Sequence, residues 1–194
     1  MSAAIQAHFS SSAQALARTG ELYSDLVLEV AQRIARSLGE GGKLLTCGNG
    51  GSASDAEHIA AEFVGRFRRE RRGLPAIALT SITAAVTAIA NDYGFENVFA
   101  RQVQAYGEAR DVLLAISTSG RSPNVLNAVR AAKSMGIYTI ALSGQNREGL
   151  AELADVAFAA PSLVTAEIQQ CHIAIGHAIC ETLDEILSQP VAQA

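Results

Sequence analysis

The chain contains no tryptophan, and aromatic residues make up only 5% of its 194 positions. Stacking platforms for bases or sugar rings are therefore scarce. Lysine is almost missing as well. Lys43 enters an apolar run and Lys133 lies inside a helical pattern, which argues against Schiff-base catalysis. The three cysteines, Cys47, Cys171 and Cys180, form neither an even set nor a CxxC, so buried thiols in a reducing cytoplasm are expected. No apolar stretch approaches the about 20 residues of a membrane helix, and Met1-Ser2-Ala3-Ala4-Ile5-Gln6 lacks the regions of a signal peptide. A net charge of −4 and a pI near 5.6 give none of the basic surplus of a nucleic-acid binder. What remains is 49% hydrophobic, enough for a sizeable core. The expectation is one cytoplasmic domain spanning residues 1–194, with neither nucleic acid nor membrane as partner.

The first forty residues have helical period, with Leu22, Leu26, Val30, Ile34 and Leu38 recurring every fourth position. Gly39-Glu40-Gly41-Gly42 ends that pattern. Short apolar runs then follow at 43–47, 76–80, 112–117, 138–143 and 156–159. Helical segments lie between them at about 53–67, 83–90, 96–106, 124–135 and 149–153, and a last helix covers about 166–187. Strands alternating with helices indicate an α/β fold, a three-layer α/β/α sandwich around a five-stranded parallel sheet, preceded by N-terminal helices. In such sheets ligands bind beyond the carboxyl ends of the strands. The loops after Cys47, Thr80 and Ser117 therefore border any site.

Ser117-Thr118-Ser119-Gly120-Arg121-Ser122-Pro123 offers hydroxyls, a glycine and a helix N-terminus, all suited to a phosphate. Ser122 before Pro123 is also ordinary helix-capping chemistry. Gly48-Asn49-Gly50-Gly51-Ser52-Ala53-Ser54 gives a ligand close access to backbone, or is a tight turn capped by Ser52 or Ser54. Its glycines fit the dinucleotide fingerprint only loosely and no acidic ribose partner ends the next strand, so no nucleotide cofactor is expected. His58 and Glu62, four residues apart, share one helix face as a base with its orienter, as metal ligands, or as a surface pair worth a few tenths of a kcal/mol. Gln169 and His177 lie about 80° apart on the last helix and point into one cleft, with His172 offset the other way. A core histidine is the alternative for each imidazole. Arg66, Arg68, Arg69, Arg71 and Arg72 form a basic cluster read as a solvated face, a subunit contact, or an anion contact through one arginine.

Taken together, CGNGGSASDAEHIAAEF at 47–63, LPAIALT at 74–80, AIANDYGFENVFARQV at 88–103, ISTSGRSPNV at 116–125 and EIQQCHIAIGH at 167–177 resemble the phosphoheptose isomerases of the sugar-isomerase (SIS) domain superfamily. The resemblance implies a flavodoxin-like SIS fold and isomerisation of D-sedoheptulose 7-phosphate to D-glycero-D-manno-heptose 7-phosphate, the first step toward nucleotide-activated heptose for lipopolysaccharide or another surface glycan. It also implies that Ser117, Thr118, Ser119 and Ser122 hold the phosphate and that Asn49, Gly50, Gly51, Ser52, Asn91, Asp92 and Gln169 contact the sugar. Glu62 and His177 become an acid/base pair, and Glu62 also touches substrate. One zinc per subunit falls to His58, Glu62, Gln169 and His177. A homotetramer with sites across subunits is implied, with residues 1–40 in oligomer packing and Arg66 at an interface or near the phosphate. Ile82 and Ala84 stand where many relatives carry an acidic and a hydroxyl residue. Two alternatives stay open on the residues alone: a non-catalytic, partner-binding SIS protein, or an isomerase of another sugar phosphate.

Overall fold

One continuous helix, α1 (Ser2–Gly39), opens the computed structural model, which describes residues 1–188. The several N-terminal helices expected from sequence are thus a single one. Its buried line also differs from the four-residue stripe. Val30, Ile34 and Leu38 are buried as expected, but Leu22 is exposed and Ala15, Thr19, Tyr23 and Val27 face inward instead. The reason is geometric: a spacing of four advances about 40° per step in an α-helix, and the buried line compensates with one three-residue step, from Val27 to Val30, that the sequence stripe lacks.

The sheet comprises β1 (Leu44–Gly48), β2 (Ala76–Ala78), β3 (Val112–Ser117), β4 (Tyr138–Ser143) and β5 (Val156–Ala159). Their order is β2-β1-β3-β4-β5 and every pairing is parallel. β1 and β3 are buried throughout, as strands covered on both faces must be. The intervening helices are α2 (Gly51–Val64), α3 (Thr83–Tyr93), α4 (Val98–Tyr106), α5 (Pro123–Ser134), α6 (Leu150–Leu153) and α7 (Thr165–Ser188).

Side chains alternate across the strands and separate two cores. Leu44, Leu114 and Ile116 meet Ile34 of α1, Phe63 of α2 and Ile175 and Leu183 of α7 on one face. Leu45, Cys47 and Leu113 meet Phe99 and Val103 of α4 and Val125 and Val129 of α5 on the other. Each fully buried leucine, isoleucine or phenylalanine contributes about 1.5–3 kcal/mol. All three cysteines are free and buried, and burial pushes the thiols of Cys47 and Cys180 up to about 12.

Part of the basic cluster is structural. Arg71 folds back on α2, its guanidinium donating to the carbonyls of Glu62 at 2.9 Å and Phe63 at 3.0 Å. These are last-turn oxygens that have no partner within the helix. Its Nε pairs with Asp184 at 2.6 Å, a buried carboxylate that also accepts the backbone N–H groups of Arg68 and Arg69. Arg68 and Arg69 reach Glu181 and Glu185 on the outer side of α7. The cluster therefore fastens α2 to α7, where a solvated face was one expectation.

Candidate active site

Strand order reverses between β1 and β3: the chain leaves β1 toward β2 on one side and later returns to add β3 on the other. Helix α2 departs over one face and α5 over the opposite one, which opens a crevice at the carboxyl ends of these two strands. The glycine-rich and hydroxyl-rich loops border it. A cavity of about 280 Å³ lies there, lined by Asn49, Ser122, Pro123, Asn124, Phe95 and Glu96.

In the hydroxyl loop, Ser117 Oγ lies 3.0 Å from Ser122 Oγ and 3.4 Å from Ser119 Oγ. Ser122 occupies the N-cap of α5 without a side-chain capping bond, so its hydroxyl joins the cluster rather than serving the helix. Backing bonds hold the loop from behind, Gly144 N–H to the Thr118 carbonyl at 3.1 Å and Leu150 N–H to the Gly120 carbonyl at 2.9 Å. In the glycine loop neither Ser52 nor Ser54 caps α2; Gly50 is the cap residue, at φ +56, a conformation that L side chains rarely adopt. Gly51 lies directly against the Gln169 amide, which a Cβ there would displace. Asn49 exchanges two amide hydrogen bonds with Asn124.

Further along α2, which runs from the carboxyl end of β1 back toward the amino ends of the strands, α2 and α7 pack together. His58 Nε2 is 3.1 Å from Glu62 Oε1 and 3.2 Å from His177 Nε2, and one ligand atom from each of the three residues falls within 4.8 Å of the others. Phe67 stacks on the His177 ring at 5.2 Å. Burial lowers the His177 pKa, the charge of His58 lowers it further, and Glu62 works against both. This group could hold a metal ion. Tetrahedral coordination at about 2.0–2.1 Å separates adjacent donor atoms by about 3.3 Å, close to the two distances above. Two imidazoles and a carboxylate also form a donor set that leaves one position open.

The remaining expected residues are placed differently. The Gln169 amide sits at Gly51, and Gln169 precedes His177 by eight residues, about 12 Å along α7. Asn91 and Asp92 are exposed at the end of α3, bonded to each other at 2.7 Å. That helix packs on α4, over the face opposite α2 and α7, so one chain does not bring the pair to His58, Glu62 and His177. Arg66 is exposed beyond the end of α2, near Glu70 at 3.5 Å. Ile82 stands at the N-cap of α3 and Ala84 is exposed in its first turn. His172 is a core histidine, fully buried with Nε2 3.0 Å from the Ser143 carbonyl.

Sequence reasoning missed Asn124 and Asp55. Asp55 lies one turn before His58 on the same face of α2, so spacing could have found it. Burial raises its pKa against the pull of His58, and its Oδ2 has no hydrogen-bond partner among the described residues.

Comparison with known proteins gives this geometry its context. The SIS domain model matches residues 7–144. The chain is 55% identical over 162 residues to a phosphoheptose isomerase of Thermodesulfovibrio yellowstonii, covering 84% of this chain and 81% of the relative. Identity to a phosphoheptose isomerase of Bradyrhizobium sp. (strain BTAi1) is 50% over 190 residues, covering 97% and 96%. The solved structure of phosphoheptose isomerase GmhA from Neisseria gonorrhoeae superposes with a TM-score of 0.89 at 42% identity, covering 95% of this chain and 98% of that one. The chain belongs to the SIS domain family, within its phosphoheptose isomerase group.

Proposed function

We propose that the protein is an aldose–ketose isomerase that converts D-sedoheptulose 7-phosphate to D-glycero-D-manno-heptose 7-phosphate. The observation that carries this reading is that one chain holds both a hydroxyl cluster suited to phosphate and the convergent His58–Glu62–His177 group, which we place in one site built across subunits. The identity to phosphoheptose isomerases over nearly the full chain supplies the carbon count.

Ser117, Thr118, Ser119 and Ser122 bind the phosphate, helped by the first-turn N–H groups of α5. Asn49, Gly50, Gly51, Ser52 and Gln169 line the sugar chain. Glu62 removes the proton from C1 of the ketose while the C2 oxygen gains one, giving the enediol. The C1 hydroxyl then loses its proton and C2 receives one, which leaves the aldehyde at C1. Glu62 Oε1 faces His58, and Oε2, which has no hydrogen bond among the described residues, carries the proton between carbons. His177, its pKa lowered by burial and by His58, exchanges protons at the sugar oxygens as a neutral imidazole. Acid/base groups of this kind contribute about 10²–10⁴-fold each.

The metal we assign is zinc, one per chain, held by His58, Glu62 and His177, with Gln169 of a neighbouring subunit as a further contact because the chain's own Gln169 sits about 12 Å along α7 from His177. When bound it polarises the carbonyl as a Lewis acid. We also propose a homotetramer in which Asn91, Asp92 and Arg66 complete or border a neighbour's site. Two features support this. The exposed face of α1 carries Ile5, Phe9, Leu22 and Leu28, and an apolar groove of about 320 Å³ lies between α1 and α7. Among the described residues no helix is long and apolar enough to cross a membrane, and we place the enzyme in the cytoplasm as a single SIS domain feeding heptose into a surface glycan such as lipopolysaccharide.

The test is NMR of the purified, zinc-supplied protein with sedoheptulose 7-phosphate. Appearance of an aldoheptose phosphate, lost in Glu62→Gln, supports the assignment. Turnover only of a different sugar phosphate would replace the substrate, and binding without turnover of any sugar phosphate would replace the enzyme by a binding module.

A further inference from the structure

The loops on either side of the crevice are joined by one pair of side chains. Asn49 Nδ2 donates to Asn124 Oδ1 at 2.9 Å, and Asn124 Nδ2 donates back to Asn49 Oδ1 at 2.9 Å. Asn124, in the first turn of α5, is only 2% exposed, while Asn49 is half-buried at the mouth. No other side-chain hydrogen bond connects residues 48–54 with residues 117–124 among the described residues.

We infer that Asn124 is a positioning residue that fixes both the orientation of the Asn49 amide and the distance between the sugar-chain and phosphate loops. The orientation follows from the backbone. Val125 N–H, which can only donate, reaches Asn124 Oδ1 at 3.0 Å, so the oxygen of that amide is the atom turned toward it. Asn49 must then present its nitrogen to Asn124 Oδ1 and its oxygen to Asn124 Nδ2. Each Asn49 atom has used one of its two hydrogen-bonding positions, so one N–H and one lone pair remain, in fixed directions, for a sugar hydroxyl or carbonyl. The bridge crosses the place where α2 and α5 leave on opposite faces, just beyond the last β1–β3 backbone pair, Gly48 with Ile116. Asn124 acts through Asn49 and needs no contact with substrate.

This inference rests on the proposed isomerase function. Its test is a cycle of Asn49→Ala, Asn124→Ala and the double variant in the zinc-supplied enzyme. Asn124→Ser serves as a second single variant, because its hydroxyl can still accept from Val125 N–H but is too short to reach Asn49. The readouts are kcat/KM with sedoheptulose 7-phosphate and the dissociation constant of inorganic phosphate. Both Asn124 variants are expected to lose on the order of 10²-fold in kcat/KM, the cost of misplacing a substrate-orienting group by about 1 Å. Phosphate affinity should stay near wild type, and the double variant should lose no more than Asn49→Ala alone. Wild-type kcat/KM in both Asn124 variants overturns the inference, as do losses that multiply in the double variant or a parallel fall in phosphate affinity. Failure of both variants to fold assigns the pair to stability and overturns it too. A wild-type enzyme without turnover overturns the isomerase reading itself, a result distinguishable from the others because it appears before any substitution.

Discussion

His58 and His177 face each other across the seam of α2 and α7 with their Nε2 atoms 3.2 Å apart. Two protonated rings at that distance repel, and two neutral rings share a single proton between the nitrogens. A divalent cation beside Glu62 Oε1 satisfies both lone pairs at once. Purified in the presence of zinc, the protein should carry about one ion per chain by elemental analysis. His58→Ala and His177→Ala should fold, by circular dichroism, yet lose that stoichiometry. An ion content unchanged by both substitutions would remove this group as the metal site.

The hydroxyl cluster makes a sharper distinction. If Ser122 were chiefly a helix cap, Ser122→Ala would cost about 1 kcal/mol of stability. Its hydroxyl instead lies 3.0 Å from Ser117 Oγ, with no capping bond. Ser122→Ala and Ser117→Ala are therefore expected to leave the melting temperature nearly unchanged while weakening binding of inorganic phosphate and raising KM. Calorimetry on the two variants checks both halves, and a loss of stability with intact phosphate binding would restore the capping role.

Arg71 and Asp184 hold the end of α2 to α7 through a buried ion pair at 2.6 Å. Removing one partner of such a pair typically costs about 3–5 kcal/mol, so Asp184→Ala should destabilise the fold strongly, as measured by denaturant titration. Burial alone would raise the Asp184 carboxyl, but Arg71 and the N–H groups of Arg69 and Arg68 outweigh it and hold it below its ordinary value. A depressed carboxylate stabilises the fold fully above its unfolded value of about 3.9. That contribution is lost as pH falls through the lower folded value.

His172 should impose a second, milder acid sensitivity. Burial drives its pKa down to about 4 despite the Ser143 carbonyl. Between about 6.5, the value in the unfolded chain, and 4, the unfolded state binds a proton that the native state refuses. Stability should therefore fall as pH drops through that window, by on the order of 3 kcal/mol in all. His172→Gln should flatten that part of the stability–pH profile. An identical slope in the variant would show that the imidazole is not held neutral.

Much of this architecture was legible in the chain. The runs at 112–117, 138–143 and 156–159 coincide with β3, β4 and β5, because fully buried parallel strands read as unbroken apolar segments. The edge strand β2 ends at Ala78 rather than Thr80, since Ser81 N–H turns back to the Ala78 carbonyl at 3.1 Å. The spacing of His58 and Glu62 gave their shared face, and the separate reading of α7 gave His177. What stayed hidden depends on pairs distant in sequence. Asn49 and Asn124 are 75 residues apart and Arg71 and Asp184 are 113 apart. No local pattern in the chain marks either pair.

The central claim is that Glu62 moves a proton between neighbouring carbons through an enediol. Running the reaction on sedoheptulose 7-phosphate in heavy water and examining the product by NMR tests it most directly. The account predicts partial deuterium at C2 of the aldoheptose phosphate, because protonated Glu62 exchanges with solvent in some turnovers before it returns the proton, with both label and product lost in Glu62→Gln. Product formed with no trace of deuterium at C2 and none at C1 of the recovered ketose, or formed at the wild-type rate by Glu62→Gln, would contradict it.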